Sequence, residues 1–247
     1  MSYFGYRKYV PVAEKKAKAI KSFEKLKKKN PDINPIIIKG RKLAKTWWGK
    51  AWNKNLESYS DYANRLPRGR SYTRHRAILD LKVTSKKITA MVHGSRSNPY
   101  KVNITIKPLA QKNWKTISEA CQGKIDSLED LLEGKFPEEL ADIFTAHGKG
   151  LFPTPQEISF DCSCPDYADM CKHVAAVLYG TGSRLDKDPT LFFTLRNVNI
   201  DELVAKAITK KSESLLKKSK QKSSRIIEED DDDISSMFGI DVDTEDE

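Results

Sequence analysis

Three of the chain's four cysteines and one of its four histidines fall inside one short stretch, CSCPDYADMCKH, running from Cys162 to His173. No straight strand or helix can bring all of them to one point, so a chain carrying this cluster has to bend around it. The spacing C-x-C-x6-C-x-H divides into two halves. EISFDC reads as a strand and PDY as a turn, which sets Cys162 and Cys164 about a bend at the strand's end. Cys171 then falls just before an apolar helical run, KHVAAVLYG, with His173 in its first turn. Thiolates at a helix N-terminus gain from exposed N–H groups and the positive end of the helix dipole, which favours metal ligation. Val174, Val177 and Leu178 form the stripe that docks the helix on its strand.

Three sulfurs and one imidazole suit a tetrahedral zinc ion, and Cys3His is an established structural set. The metal ligands expected are therefore Cys162, Cys164, Cys171 and His173, holding one structural Zn2+. Other readings of the cluster are a disulfide, a fortuitous gathering of buried thiols, and another metal or an iron–sulfur cluster. A disulfide is disfavoured by the strain of a C-x-C ring and a reducing compartment. Mixed thiolate and imidazole donors favour zinc over the other metals. Four protein donors leave no open position for a reactive water, so the expected role is to hold fold.

The motif C-x-C-x(n)-C-x-H followed by an apolar helix resembles the SWIM zinc finger. KTWWGKAW, RLPRGRSYTR and NPYKV widen the likeness to prokaryotic SWIM proteins over roughly residues 40–180. That resemblance implies the same four ligands, binding to DNA or protein, and the company of Swi/Snf-type helicases.

Around the cluster, the pattern is that of an α+β protein. Residues 11–29 place Val12, Ala19, Ile20, Phe23 and Leu26 near helical spacing among many charges, and Asn30-Pro31 ends the run, which reads as a basic amphipathic helix. Trp48, Trp52, Leu56 and Tyr59 share a second helical stripe and read as core. From residue 76 to 107 the period falls to two. Ala77, Leu79, Leu81 and Val83, then Ile88, Ala90 and Val92, then Tyr100, Val102, Ile104 and Ile106 alternate with polar residues. That predicts a three-stranded antiparallel meander with one wet face, flanked by helices. A helical region bearing the small strand-turn-helix finger follows, with a capping box at Ser127, a helix opening near Pro137 and another near Pro189. The expected divisions are 1–40, a basic helix and short strand; 41–120, the α+β domain; 121–210, the helical region with the finger at about 150–182; and 211–247, a disordered basic linker and acidic tail.

Charge narrows the partners. The net charge of +10 hides an asymmetry, because residues 228–247 carry eleven acidic residues and no lysine or arginine. The remainder holds all 44 basic residues against 23 of the 34 acidic ones, a net of +21. So basic a body points to nucleic acid first, DNA before RNA, and an anionic surface second. RLPRGRSYTRHR carries Arg65, Arg68, Arg70, Arg74 and Arg76 and reads as a loop whose guanidinium groups, with Lys172 near the finger, contact phosphates. The competing reading is a solvated loop whose arginines pair with acids. His75, His93 and His147 stand singly and read as ordinary packing histidines, and Cys121 as a small buried hydrophobe.

The acidic tail sets Ile234, Met237, Phe238 and Ile240 among carboxylates. It reads as a solvating tail, as a short motif docking on a partner protein, or as a segment competing with nucleic acid for the basic body. No apolar run approaches a membrane span and no secretory signal is evident, so a cytoplasmic or nucleoid location is expected. No G-x-x-x-x-G-K-[ST] loop is present and no carboxylates converge on an open metal, so no enzymatic activity is expected. The expected function is a non-catalytic zinc-finger protein binding nucleic acid with low sequence preference, as accessory to a Swi/Snf-type helicase or similar complex. The alternative is a protein–protein adaptor in which finger and tail dock on a partner.

Overall fold

Period-two alternation becomes sheet where it was expected. In the computed structural model, which describes residues 10–61, 63–121 and 140–202 together with 205, 209, 212 and 216, β1 (Ile78–Thr84), β2 (Lys87–Val92) and β3 (Tyr100–Ile106) form an antiparallel meander. Ile88, Ala90 and Val92 of β2 and Tyr100, Val102, Ile104 and Ile106 of β3 are buried on one face, their neighbours exposed or half-exposed. The chain divides into two units, Met1–Ile208 and Thr209–Glu247, and the elements below belong to the first.

In β1 the alternation is interrupted. Ile78 pairs with Val92 and Asp80 with Met91, so one residue, Leu79, is extra in the ladder. This bulge turns Ile78 rather than Leu79 into the main core, where it joins Ala77 and Leu81. Leu79 is buried as well, outside that core. Asn34 and Ile36 cover the outer edge of β1: Ile36 N–H donates to Ile78 O at 3.3 Å and Leu81 N–H to Asn34 O at 3.0 Å. The Asp80 carboxylate accepts from Asn34 N–H at 2.8 Å.

The sheet has four strands, not three. β4 (Ile158–Cys162) pairs antiparallel with β3, Val102 opposite Cys162 and Ile106 opposite Ile158, giving the order β1-β2-β3-β4. The strand expected inside a separate small finger thus completes the main sheet. β3 would otherwise present an unpaired row of N–H and C=O groups, which a fourth strand satisfies.

A second correction concerns the arginine-rich stretch, which is helix rather than loop. α1 is Val12–Lys29, α2 Trp47–Glu57 and α3 Arg65–Arg74. Pro67 sits in the first turn of α3, where a backbone N–H has no partner within the helix. Gly69 lets α3 close on a later helix, α6 (Lys172–Leu185): a Cβ at Gly69 would lie 2.6 Å from that of Ala175. Thr73 Oγ1 donates across the same contact to Ala176 O at 3.1 Å. The glycine and proline that suggested a loop serve helix start and helix packing.

α6 is buried almost all round, from His173 to Gly182 and again at Leu185, because it lies between the sheet and the pair α2 and α3. The indoles of Trp52 and Trp48 donate to α6 carbonyls, to Leu178 O at 2.9 Å and Leu185 O at 3.0 Å. Trp47 stacks on Phe144 of the short helix α5 (Ala141–Thr145). α4 (Gln111–Ala120) brings Trp114 and Ile117 to the core, and Cys121 is buried at its end. α7 (Leu191–Arg196) adds Phe192 and Phe193. The Arg196 side chain is buried, its terminal nitrogens donating to Lys107 O at 2.9 Å and Glu157 Oε1 at 2.8 Å. The capping box at Ser127 and the helix expected near Pro137 lie outside the described residues, as does the acidic tail. Among the described residues, no helix is long and apolar enough to cross a membrane.

Candidate metal centre

Strand, bend and helix bring the four donors together. β4 delivers Cys162 at its last residue. The bend after it is pinned to the start of β3, with Ser163 N–H donating to Lys101 O at 3.0 Å and Lys101 N–H to Ser163 Oγ at 2.9 Å. Cys171 caps α6, its sulfur accepting from Val174 N–H at 3.5 Å, and His173 follows in the first turn. All four donor atoms, from Cys162, Cys164, Cys171 and His173, lie within 4.8 Å of one another. His173 Nδ1 is 3.8 Å from Cys162 Sγ and 3.9 Å from Cys171 Sγ. Zinc–sulfur bonds of about 2.3 Å in a tetrahedron place donors about 3.8 Å apart, so these residues fit one Zn2+, with Nδ1 the imidazole donor. The cysteines are free of disulfides.

Electrostatics divides the thiols. A hydrogen bond from Cys162 is the chief cause holding Cys171 down to about 4; burial opposes it, and His173 and Val174 N–H add to it. That same hydrogen bond, joined by burial, pushes the Cys162 thiol up. Burial pushes Cys164 up. Cys171 is thus the sulfur that most readily gives up its proton, while Cys162 and Cys164 favour keeping theirs. Zinc ligation displaces those protons, so affinity rises with pH.

The imidazole is held by packing. Tyr100 stacks on His173 with ring centroids 4.3 Å apart, and Tyr72 meets it edge-on at 5.3 Å. Gly94 completes the seat, since a Cβ there would lie 3.1 Å from His173 Nε2 and 2.3 Å from the Tyr100 ring. Nε2 itself is buried, with no hydrogen-bond partner among the described residues.

The loop from Cys164 to Cys171 is tied down by ions. Asp166 accepts from Arg65 at 2.8 Å, and the two side chains are only 10% and 12% exposed. The Asp61 carboxylate accepts from Asp169 N–H at 3.0 Å and Met170 N–H at 3.4 Å. Arg65, expected at phosphate, therefore braces the finger. Arg70 is held by Glu57 at 3.1 Å and the Tyr179 hydroxyl at 2.8 Å. Arg68 and Arg74 are exposed, Arg74 donating to Arg41 O at 3.3 Å. Arg76 and Lys172 are half-buried. Ile234, Met237, Phe238 and Ile240 lie outside the described residues.

One feature was not evident from the sequence. Lys15, Lys18, Lys21 and Lys25 of α1 face Tyr72, His75, His93 and the turn after β2 across a cleft of about 700 Å³. Ser22 Oγ and His93 Nδ1 bridge it at 2.9 Å. The lysine spacing was visible, but the opposite wall comes from segments far along the chain.

Three sulfurs and one imidazole at tetrahedral spacing, braced between a sheet edge and a helix N-terminus, define a closed zinc-finger centre. Residues 161–179 match the SWIM zinc finger family, and the chain carries a SWIM zinc finger at those positions. Over 172 residues it is 36% identical to the uncharacterized protein Rv2102 of Mycobacterium tuberculosis (strain ATCC 25618 / H37Rv). That alignment takes in 69% of this chain and 62% of the relative's length. No solved structure matches.

Proposed function

We propose that this is a non-catalytic protein that binds nucleic acid, DNA before RNA, through a basic surface braced by its zinc finger. The observation that carries the reading is α1, where eight exposed lysines stand against two glutamates. Such a face binds phosphates by releasing counterions, an attraction that carries little sequence information. Four protein ligands close the metal, so its contribution is to fold. The SWIM finger supports the further reading that the protein accompanies a Swi/Snf-type helicase or similar DNA-handling complex. A gel-shift titration with single-stranded and duplex DNA across a salt series tests the binding. Affinity should fall steeply with salt, and absent or salt-insensitive binding would refute it.

A second reading, the protein–protein adaptor, is favoured by Tyr167, which is 81% exposed in the loop between Cys164 and Cys171. An exposed aromatic on a braced loop is a common anchor for a protein partner. Pull-down with Tyr167→Ala separates the two, since partner capture should fall while DNA affinity holds.

A further inference from the structure

The cleft beside α1 is built for a chain of anions. Lys15, Lys18, Ser22 and Lys25 recur at steps of three and four residues and share one helix face, with Lys21 beside them. Arg96 lies on the opposite wall. No aspartate or glutamate is among the described residues lining it. At a rise of 1.5 Å per residue, Lys15 to Lys25 covers about 15 Å. A stacked strand advances about 3.4 Å per nucleotide, so about four phosphates match that line.

Shape argues for one strand rather than two. Proteins that read duplex DNA insert a convex helix or ribbon into its grooves. Here the cations line a hollow whose volume, about 700 Å³, is that of a small-ligand pocket. The wall facing the lysines offers the rings of Tyr72 and His75, with His93 held to Ser22 of α1 at 2.9 Å. Burial, with Lys15 beside His75 and Lys18 beside His93, holds both imidazoles below their ordinary range, which favours the neutral rings. Neutral rings opposite a cationic helix are the usual furniture of single-strand binding, bases on one side and phosphates on the other.

The track does not stop at the cleft. Arg96 lies 5.6 Å from the centre of the Tyr100 ring, the ring that stacks on the metal ligand His173. Beyond it a second hollow of about 670 Å³ is lined by Arg96, Asn98, Lys101 and Ser163, the last being the residue between two zinc ligands.

We infer that a single strand of nucleic acid lies in this cleft, its phosphates along Lys15, Lys18, Lys21 and Lys25, and passes over Arg96 to the bend at Ser163. The inference rests on the nucleic-acid reading above and assigns it a place and a strandedness. Fluorescence anisotropy with a labelled oligothymidylate, and with a duplex of equal length, tests it on the full zinc-loaded chain. The cleft variant is Lys18→Gln/Lys21→Gln/Lys25→Gln. A control of equal charge loss, Lys54→Gln/Lys112→Gln/Lys115→Gln, alters exposed lysines on α2 and α4. Thermal melting and zinc content confirm that each variant is folded. The cleft variant should bind the single strand about tenfold more weakly or worse. Its log-affinity against log-salt slope should flatten by about 2, because three phosphates are no longer neutralised by lysine. Arg96→Gln should weaken binding in the same direction. Equal losses in cleft and control variants, or a duplex bound as tightly as the single strand, would overturn the inference and leave the broader reading standing. An unsubstituted chain that binds neither nucleic acid would overturn both.

Discussion

Tyr100 lies on His173, ring centroids 4.3 Å apart and planes inclined by 30°. A zinc-ligating histidine ordinarily donates its other ring nitrogen to an oxygen that fixes its orientation. Here Nε2 has no such partner among the described residues, and an aromatic face from the first residue of β3 packs on the ring. Tyr100→Ala should therefore weaken zinc affinity roughly 10- to 100-fold, the range seen when outer supports are removed. Competition against a chromophoric chelator measures it. Tyr100→Phe should bind zinc as the parent does; equal loss in both variants would assign the role to the hydroxyl instead.

Metal removal should reach beyond the finger. Ligation in small fingers contributes about 10–16 kcal/mol apparent at neutral pH, against a total stability of about 5–15 kcal/mol for a typical domain. Because Cys162 is also the residue opposite Val102 in the sheet, chelation should lower the melting temperature of the whole unit by roughly ten degrees or more. Elemental analysis should find one zinc per chain, and Cys162→Ser should melt like the chelated protein.

Arg65 and Arg68 stand three residues apart and should behave differently. Arg65→Ala leaves Asp166 nearly buried without its cation, an arrangement that costs about 3 kcal/mol. Melting temperature and zinc retention should both fall. Arg68 is exposed, and Arg68→Ala should leave both unchanged. A zinc-retaining, fully stable Arg65→Ala protein would mean that the Asp166 pair does not brace the loop.

Glu157 supplies a pH signature. Burial acts to raise its carboxyl, but Thr154 N–H and the Arg196 guanidinium outweigh that and hold it below the ordinary range. A depressed folded value means stability that is whole above the ordinary carboxylate pKa and drains away as pH falls through the folded one. Chemical denaturation between pH 6 and about 3 should show this loss. Glu157→Gln should be less stable by about 2 kcal/mol at neutral pH, the pair's value being reduced by the 24% exposure of Glu157. Its stability should also change less with acid.

Much of this was legible in the chain because the signals were local. The C-x-C-x6-C-x-H spacing carried the metal ligands, and alternation at Ile88, Ala90 and Val92 carried β2. The tryptophan stripe of α2 read correctly as core. What stayed hidden depended on neighbours distant in sequence. Nothing in ISFDC says that β3, some fifty residues earlier, is its partner. Gly69 and Pro67 carry loop-like composition, and only the approach of Ala175 shows why a helix needs that glycine. A single extra residue at Leu79 reverses which of two neighbouring apolar side chains enters the main core. Arg65 and Arg70 read as phosphate contacts from composition alone, and the carboxylates they meet, Asp166 and Glu57, lie elsewhere along the chain.

The zipping of β4 onto β3 bears on whether this finger is portable. Excised and grafted elsewhere, residues 158–185 would carry every ligand yet leave behind the tyrosine, the glycine and the neighbouring strand that shape their seat. Such a transplant should bind the ion loosely and fold poorly.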